Sequence, residues 1–449
     1  MSGTSPALAG ASAAEPLAEV IGASTQVPLV RGGFVRYANL DYAASAPALR
    51  AVADRVAELL PLYASVHRGA GYASAVCTSA YESARETVAA FVGAREDDVA
   101  VFTRHTTDAL NLLASAVPGP VVYLDIEHHA NLLPWQTRDG RVVTAQATAA
   151  ATLDAVRAEL DREPAALVSV TGASNVTGEC PPLAGLAEIA HARGARIAVD
   201  GAQLVPHRRI DIAAAGFDYL AFSGHKAYAP YGAGVLVGRR DWLEAAPPYL
   251  AGGGAVRAVR LDGTDWAGVP ARHEAGTPNV LGTVALATAC RAIASLPVGA
   301  VAAHEDELRA ALAAGLRAVD GVSVLRLWED HEAERLGVLS FTVGKYPAAL
   351  VAQYLSAEHG IGVRDGAFCA HPLLARLGVT GGAVRASLGL GSTIADVDRL
   401  IAAVAELSES GPSWTYAGPE DGYRPTPDPR PLPDWLDGCG AGAESPCAD

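Results

Sequence analysis

The sequence has almost no lysine. Of its 34 lysine and arginine residues, only Lys226 and Lys345 are lysines, so arginine supplies nearly all of the positive charge. A guanidinium keeps its proton, whereas a primary amine can lose it and attack a carbonyl to form a Schiff base. Lys345 precedes Tyr346 and Pro347, a pattern typical of an exposed turn. Lys226 lies instead in FSGHKAYAPYGAG, residues 222–234, whose side chains form part of a candidate site.

Positive charge is also scarce overall and at the start of the chain. The formal net charge is −15, which disfavours a nucleic-acid partner or an anionic membrane surface. The first basic residue is Arg31, so the start lacks the basic region typical of a secretory signal. The longest uncharged apolar runs, near residues 109–124 and 275–290, are too short for a membrane span and are broken by Pro, Gly or Asn. We therefore expect a cytoplasmic protein.

Closely spaced cysteines are absent. The six cysteines are Cys77, Cys180, Cys290, Cys369, Cys439 and Cys447. They include no CxxC pair, which argues against a zinc site and against a disulfide framework. We expect no bound metal.

The composition is that of a globular protein long enough for two domains. Half of the 449 residues are hydrophobic and 18% are charged, which allows full apolar cores. We predict a partly mobile N-terminal arm at residues 1–34, a large domain at 35–289, a small C-terminal domain at 290–410 and a Pro- and Gly-rich tail at 411–449. The tail carries Cys439 and Cys447 near its end, and we expect that end to be disordered.

Short apolar runs alternate with helical patterns from residue 99 onward. The predicted strands are residues 99–102, 121–125, 167–171, 196–200, 219–222 and 234–237, with helices at 107–115, 153–159 and 183–193 between them. This alternation indicates an α/β fold whose mainly parallel sheet is covered on both faces. Ahead of it we predict a strand within 35–45, helices at 47–64 and 78–92, and a Gly-rich loop at 66–74 that carries His67. The small domain is predicted to be α+β, with helices at 304–319, 348–359 and 395–406 and strands at 338–343 and 383–388.

Polar side chains follow several predicted strands, at the edge where α/β sheets bind ligands. Thr106 and Thr107 open a helix directly after a strand, and a helix N-terminus attracts anions. Ser223 and His225 follow another strand and are expected to converge on the same anion. The alternative for the two threonines is ordinary helix capping.

Asp200 and His128 also follow strands. A carboxylate such as Asp200 can keep a ring nitrogen protonated, which makes the ring a better electron sink. A histidine within EHHANLLPW, residues 127–135, can lie over a flat cofactor and pass protons. Taken singly, Asp200 can instead cap a turn, and a pair of histidines is often a solvated or capping feature.

Cys369 and Arg385 add a thiol and a candidate carboxylate binder. Cys369 lies in the loop VRDGAFCAHP with Arg364 and His371 close in sequence, and nearby cations favour the reactive thiolate. Arg385 can pair bidentately with a substrate carboxylate. The alternatives are a packing role for Cys369 and a surface position for Arg385. Together with Lys226, the set matches pyridoxal phosphate chemistry on an amino acid.

The order and spacing of these motifs resemble the cysteine desulfurase and selenocysteine lyase branch of the class V aminotransferase-like enzymes, which depend on pyridoxal 5'-phosphate and have fold type I. The resemblance extends from about residue 40 to about residue 407. It rests on EHHANLLPW, SNVTG, VDGAQ, SGHK, EAGTPN and CAHP, which follow one another in the family order. It implies a large cofactor-binding domain with a mainly parallel sheet and a smaller C-terminal α+β domain.

The resemblance implies a set of cofactor contacts. Lys226 forms the Schiff base, Asp200 pairs with the ring nitrogen and Gln203 bonds the ring hydroxyl. His128 stacks on the ring. Thr107, Ser223 and His225 match the phosphate ligands of the family. We also place Thr106 and Asn175 among the cofactor-binding residues. Thr277, in EAGTPN, reaches the phosphate of a neighbouring subunit, which implies a homodimer.

The resemblance also implies a substrate and a reaction. L-cysteine or a related amino acid is the substrate, bound by Asn175 and Arg385, and we also place Arg364 and His67 at this site. Lys226 removes the α-proton, Cys369 receives the sulfur as a persulfide, and alanine leaves. A sulfur-acceptor protein is then a further partner.

Two places depart from the family pattern. Ala367 and Phe368 stand where the branch has histidine before the thiol, and Tyr42 stands where a smaller residue is usual. Both changes are expected to border the substrate pocket. The alternative function is another class V enzyme, an aminotransferase, an epimerase or a carbon–sulfur lyase of specialised metabolism, and a third is a non-catalytic binding protein. Cys369 favours the desulfurase, and Lys226 argues against the non-catalytic protein.

Overall fold

A seven-stranded sheet forms the centre of the protein. The computed structural model describes residues 15–329, 333–419 and 422–436. The strands of this sheet are β4 (Asp98–Thr103), β5 (Val121–Leu124), β6 (Gly140–Val143), β7 (Leu167–Thr171), β8 (Arg196–Asp200), β9 (Tyr219–Ser223) and β10 (Gly234–Arg239). Their order is β4-β10-β9-β8-β7-β5-β6, and β10 runs antiparallel to both of its neighbours while the others run in one direction. The predicted strands are all present, each within two residues of its predicted ends.

Both faces of this sheet are covered by apolar side chains. Val121 and Tyr123 of β5 belong to one buried cluster, whereas Val122 and Leu124 belong to another, as the two-residue period of a strand requires. The predicted α/β class is therefore confirmed. Strand β6 was not predicted, because it lies at the sheet edge and is only partly buried, so its apolar alternation is weak.

Helices flank the sheet on either side. They are α1 (Arg50–Leu59), α2 (Tyr72–Phe91), α3 (Thr106–Ala116), α4 (Leu133–Gln136), α5 (Ala149–Arg162), α6 (Leu183–His191), α7 (Arg240–Ala245) and α8 (Val280–Ser295). Helix α2 begins six residues earlier than predicted, so the end of the predicted loop 66–74 is helical. Short 3-10 turns occur at Leu60–Leu62, His129–Asn131, Ala271–His273 and Asp434–Leu436.

A second sheet lies in the C-terminal part of the chain. Its strands are β13 (Val322–Val324), β14 (Val338–Val343), β16 (Arg364–Gly366) and β17 (Ala383–Ser387), in the antiparallel order β13-β14-β17-β16. The helices here are α9 (Ala300–Arg317), α10 (Ala348–His359), α11 (His371–Arg376) and α12 (Ile394–Ser410). The remaining strands are β1 (Gln26–Pro28), β2 (Phe34–Arg36), β3 (Ala38–Asn39), β11 (Val256–Arg260), β12 (Gly263–Trp266) and β15 (Ile361–Gly362). Strand β15 pairs with β3, so residues near the start of the chain contribute to the core around this sheet.

The predicted domain limits stay predictions, and two observations bear on them. The limit at residue 290 falls inside α8, which packs on α1 and α2. Of the predicted tail, residues 411–419 and 422–436 lie among the described residues, and Ser413, Trp414 and Tyr416 bond to Glu358 of α10. Cys439 and Cys447 lie outside the described residues.

In the described ranges, no single helix is long and apolar enough to cross a membrane, whereas α8 and α9, bent by 84° from each other, reach that length and composition only as a pair.

Candidate active site

A cavity of about 420 Å³ opens at the carboxyl ends of the parallel strands. All but two of the predicted site residues line it. They are Thr106, Thr107, His128, Asn175, Asp200, Gln203, Ser223, His225, Lys226, Arg364, Cys369 and Arg385. The convergence follows from topology, because parallel strands end at the same edge of a sheet.

Thr277 and His67 do not line this cavity of the single chain. Thr277 is exposed in the segment before α8. His67 lies on the loop ahead of α2, where its Nε2 is 2.8 Å from Glu82 Oε1. Their predicted roles, toward a neighbouring subunit's phosphate and toward the substrate, stay predictions.

One end of the cavity is a candidate anion site, where β4 meets the N-terminus of α3. The Thr106 N–H donates to Ser223 Oγ at 2.7 Å, and the two hydroxyl oxygens lie 2.6 Å apart. His105 is the N-cap residue of α3, and its Nδ1 accepts the Asp108 N–H at 3.2 Å. The end of β9 is thereby joined to a helix N-terminus, whose partial positive charge favours an anion.

Gly234 permits this close approach. It begins β10, which lies between β4 and β9. A Cβ at residue 234 would lie 2.6 Å from the Cα of His105, closer than side chains tolerate. Any larger residue here must therefore push the helix N-terminus away from Ser223.

Lys226 follows β9 and lines the cavity. Burial lowers the pKa of its amine to about 8, an effect that the Asp200 carboxylate opposes and the Arg385 guanidinium reinforces. An exposed lysine has a pKa of about 10.4, so more of this amine is neutral near physiological pH. The neutral amine is the form that attacks a carbonyl.

Asp200 presents a buried carboxylate to the cavity, and Gln203 presents an unsatisfied amide oxygen. Asp200 ends β8 and is buried, and burial raises its pKa although the Ala202 N–H, 3.0 Å from Oδ1, and Lys226 oppose this. Gln203 Nε2 donates to the Ala43 carbonyl at 2.8 Å, while its Oε1 is buried without a hydrogen-bond partner among the described residues. Buried polar atoms of this kind are costly unless a ligand bonds them. A protonated ring nitrogen and a ring hydroxyl, as in pyridoxal phosphate, supply such donors.

A buried network fixes the segment that carries His128. Glu127 Oε2 accepts from Asn131 Nδ2 at 2.6 Å, and Asn131 Oδ1 accepts from Trp135 Nε1 at 3.1 Å. Ser169 Oγ of β7 also donates to Asn131 Oδ1, at 2.7 Å, so the segment is tied to the sheet. The motif EHHANLLPW therefore encodes a rigid support as well as a ring.

His128 is a neutral ring. Burial, reinforced by the charge of Lys226, lowers its pKa to about 3. Its Nδ1 accepts the Ala130 N–H at 3.0 Å, so the single ring proton lies on Nε2. An uncharged imidazole suits stacking on a flat ring, because a charge would have to be desolvated there. His225 is similar, since burial lowers its pKa to about 4.

Arg385 lies on β17, across the cavity from the sheet residues, and is almost fully buried. Its Nη2 donates to Asp41 Oδ1 at 3.0 Å and its Nη1 donates to the Asn175 carbonyl at 3.0 Å. Its Nε is buried without a hydrogen-bond partner among the described residues. A donor therefore remains for a substrate carboxylate.

The loop that carries Cys369 is short, and hydrogen bonds to two of its backbone carbonyls hold it in place. It joins β16 to α11. The Phe368 carbonyl accepts from Asn175 Nδ2 at 2.7 Å, and the Cys369 carbonyl accepts from the His129 N–H at 2.8 Å. Both residues have left-handed backbone angles, with φ of 54° and 53°, which are rare outside glycine. The strained turn directs the thiol to the cavity that Lys226 also lines.

Several residues of the site were not predicted, and one predicted position differs from the structure. Asp41, which pairs with Arg385, had no local signal, and Ala43 and His105 contribute through turns and caps. Tyr42 was expected to border the substrate pocket, and this is wrong. It is buried outside the cavity, 6.1 Å from the ring of Tyr228.

Comparisons with known proteins place the chain among relatives of one kind. The family model described as aminotransferase class-V matches residues 38–400. A cysteine desulfurase of Dickeya dadantii is 42% identical over 82% of this chain and 92% of its own, and one of Klebsiella pneumoniae strain 342 is 38% identical over 82% and 93%.

Solved structures agree with these relatives. The crystal structure of the Escherichia coli cysteine desulfurase CsdA, in an S-sulfonic acid form, matches with a TM-score of 0.73 and 35% identity over 82% of this chain and 94% of its own. The apo structure of a cysteine desulfurase from Thermococcus onnurineus matches with a TM-score of 0.76 and 30% identity over 87% and 98%.

Proposed function

The chain belongs to the class V aminotransferase family and, within it, to the cysteine desulfurases, and from that premise we propose that it converts L-cysteine into L-alanine and takes the sulfur onto Cys369. The observation that carries the proposal is that Lys226, Arg385 and Cys369 line one cavity. An amine, a carboxylate binder and a thiol are what this reaction needs.

Pyridoxal phosphate is the cofactor that this site fits. Lys226 would hold it covalently, Asp200 and Gln203 would bond its ring nitrogen and hydroxyl, and the N-terminus of α3 would hold its phosphate. When bound, the cofactor supplies an electron sink for charge that develops at the substrate α-carbon. His128 would cover one face of the ring and exclude water from it.

The side chains of the chain would divide the remaining work. Arg385 would bind the substrate carboxylate, and Asn175, Arg364 and His67 are the other proposed substrate contacts. Lys226, with its pKa lowered to about 8 by burial, would take the α-proton and return a proton to carbon.

The sulfur step balances without an oxidant. The Cys369 thiolate attacks the substrate sulfur, the bond between that sulfur and the β-carbon breaks, and a sulfur–sulfur bond forms. L-cysteine and one thiol thus give L-alanine and one persulfide. The hydrogen-bonded loop holds Cys369 at the wall of the cavity that Lys226 also lines.

A homodimer is part of the proposal. Thr277 is exposed in the single chain, as expected for a residue that reaches the phosphate end of a neighbouring subunit's site. Sedimentation of the purified protein tests this, because a monomer with full activity would remove the role of Thr277.

Product analysis tests the function. Incubation with L-cysteine and a reductant is expected to give L-alanine and sulfide in equal amounts, and trypsin digestion after alkylation is expected to find the persulfide at Cys369. A Cys369→Ala variant that still released sulfide at the full rate would refute the persulfide step. Pyruvate with ammonia would indicate a carbon–sulfur lyase, the alternative within the family.

Cys180 is the matched control for Cys369. It is buried, and burial raises the pKa of its thiol to about 12, so Cys180→Ala is expected to keep the activity.

A further inference from the structure

Two histidines meet next to the loop of Cys369. His371 Nδ1 lies 3.0 Å from His129 Nε2, and the two rings are nearly parallel, with centroids 4.8 Å apart. His371 comes two residues after Cys369 and is the first residue of α11. The two histidines are 242 positions apart in sequence, so only the fold brings them together.

The structure holds this pair in place by two further contacts. The His129 N–H donates to the Cys369 carbonyl at 2.8 Å. On the same short helix as His371, Arg376 Nη1 is 3.3 Å from Asp125 Oδ2, at the end of β5. The rings therefore have a fixed position relative to the thiol-bearing turn.

The pair lies outside the cavity that Cys369 lines. Neither His129 nor His371 lines the cavity, whereas Phe368 and Cys369 do. His371 is exposed and His129 is half-buried. The two residues that precede the thiol, Ala367 and Phe368, carry no group that can take a proton. His371 is therefore the group nearest to Cys369 in sequence that can take a proton, and it is exposed to an acceptor thiol that arrives from solvent.

We propose that His371, oriented by His129, is the base that takes the proton of the acceptor thiol when sulfur leaves Cys369. The proposal rests on the proposed function. The acceptor thiol loses its proton to the imidazole and its sulfur attacks the outer sulfur of the persulfide. The bond to Cys369 Sγ breaks, and the proton returns from the imidazole to the Cys369 thiolate. The acceptor thiol becomes a persulfide and the persulfide on Cys369 becomes a thiol again, so no oxidant or reductant is consumed.

The charges around the pair suit a neutral base. Burial and the proximity of His371 both lower the pKa of His129, which favours the neutral form of the His129 ring. The facing groups are the neutral ring of His128, 6.3 Å from His129, and the ion pair of Asp125 with Arg376, whose charges cancel.

Discharge of a preformed persulfide tests the proposal. The holoenzyme is loaded with one equivalent of L-cysteine and separated from small molecules. It is then mixed either with glutathione or with a tertiary phosphine. Alkylation and mass spectrometry measure how fast the persulfide disappears. A phosphine has no S–H proton, so it needs no base. The expected result is that His371→Gln lowers the ratio of the thiol rate to the phosphine rate by about 10- to 30-fold at pH 7, since a thiol with a pKa of about 8.5 is only a few per cent ionised there.

The pH profile gives a second readout. The wild-type thiol rate is expected to depend less steeply on pH than the His371→Gln rate, which should rise tenfold per pH unit below the pKa of the thiol because it follows the thiolate. His129→Gln is expected to give a smaller fall in the same ratio. His191, a partly exposed histidine 2.8 Å from Asp218 Oδ2, is the control, and His191→Gln should leave the ratio unchanged.

Two outcomes overturn the inference. An unchanged ratio in His371→Gln shows that the imidazole does not act on the thiol, and equal falls with glutathione and phosphine show that it acts on Cys369 or on the loop instead. If the wild-type enzyme forms no persulfide at all, the proposed function fails rather than this inference.

Discussion

Arg385 donates from Nη2 to Oδ1 of Asp41 at 3.0 Å, so the guanidinium assigned to the substrate carboxylate already has an acidic partner inside the protein. Burial lowers the pKa of Arg385 and raises that of Asp41, and in each case the other charge opposes the shift. Burial disfavours the ionised form of each group, and the opposite charge of its partner favours that form. Asp41 also leaves the Nε of Arg385 for another acceptor.

Asp41→Asn is expected to destabilise the protein and to strengthen its response to a carboxylate ligand. Removing one partner of a buried ion pair costs about 3–5 kcal/mol, but the Asp41 side chain is 25% exposed and asparagine keeps an oxygen acceptor, so we expect about 1–2 kcal/mol. Saturating L-alanine should restore part of this loss, because its carboxylate replaces the missing charge. Thermal unfolding with and without L-alanine measures both effects.

Asp154→Asn is the matched control for Asp41→Asn. Asp154 pairs with Arg157 on the surface of α5, where both side chains are exposed. An exposed pair contributes about 0–1 kcal/mol, so this variant should unfold almost as the wild type does and respond equally to L-alanine. Equal behaviour of the two variants would show that the pair with Arg385 has no special role.

The scarcity of lysine makes the cofactor attachment testable at a single position. Borohydride reduction of the holoenzyme is expected to leave a pyridoxyl group on Lys226, because a Schiff base is reduced to a stable amine. Lys226→Arg keeps the charge but should lose the adduct and all activity. Lys345, whose Nζ lies 5.5 Å from the ring centre of Tyr346, is the control, and Lys345→Arg should keep both. An adduct at residue 345, or none, would contradict the assignment.

The amine of Lys226 should react with an aldehyde in a lower pH range than an ordinary lysine. Burial lowers its pKa to about 8, so the amine is protonated and unreactive below that pH and neutral above it. The Asp200 carboxylate raises this pKa, and Asp200→Asn should therefore move the midpoint to lower pH. The measurement is the pH dependence of the borohydride-trapped pyridoxal adduct on the apoprotein, in a Lys345→Arg background. A midpoint near 10, or a shift to higher pH in Asp200→Asn, would contradict this electrostatic account.

The sequence was informative where local pattern and sheet topology act together. Apolar runs predict the strands, and the strand ends then bring Thr106, Asp200 and Lys226 to one cavity without further assumptions. His128 could be located because its motif also encodes the network that supports it, through Glu127 and Asn131.

Contacts between distant segments were beyond this reasoning. Asp41 and Arg385 are 344 positions apart, and His129 and His371 are 242 apart. The first pair depends on how the segment after β3 lies along β17, and the second on how the start of α11 packs beside the loop after β5. No local periodicity encodes either arrangement. The contacts of the tail could not be predicted either. Its Pro- and Gly-rich composition indicates an irregular backbone, but it does not show that this backbone forms hydrogen bonds with α10.

Glu358 is expected to hold the start of that tail in place. Its side chain is 2% exposed and accepts from the Ser413 and Trp414 N–H groups, each at 3.2 Å, and from the Tyr416 hydroxyl at 3.0 Å. Glu358→Ala would leave several donors without an acceptor, and we expect a loss of about 2–4 kcal/mol in the free energy of unfolding. Glu406, which is half-exposed and 3.9 Å from His359, is the control, and Glu406→Ala should change it by less than about 0.5 kcal/mol. Denaturant unfolding measures both, and limited proteolysis should cut Glu358→Ala faster after residue 411. Equal cutting of the two variants would show that the carboxylate does not hold the segment, since a bonded backbone must open before a protease can bind it.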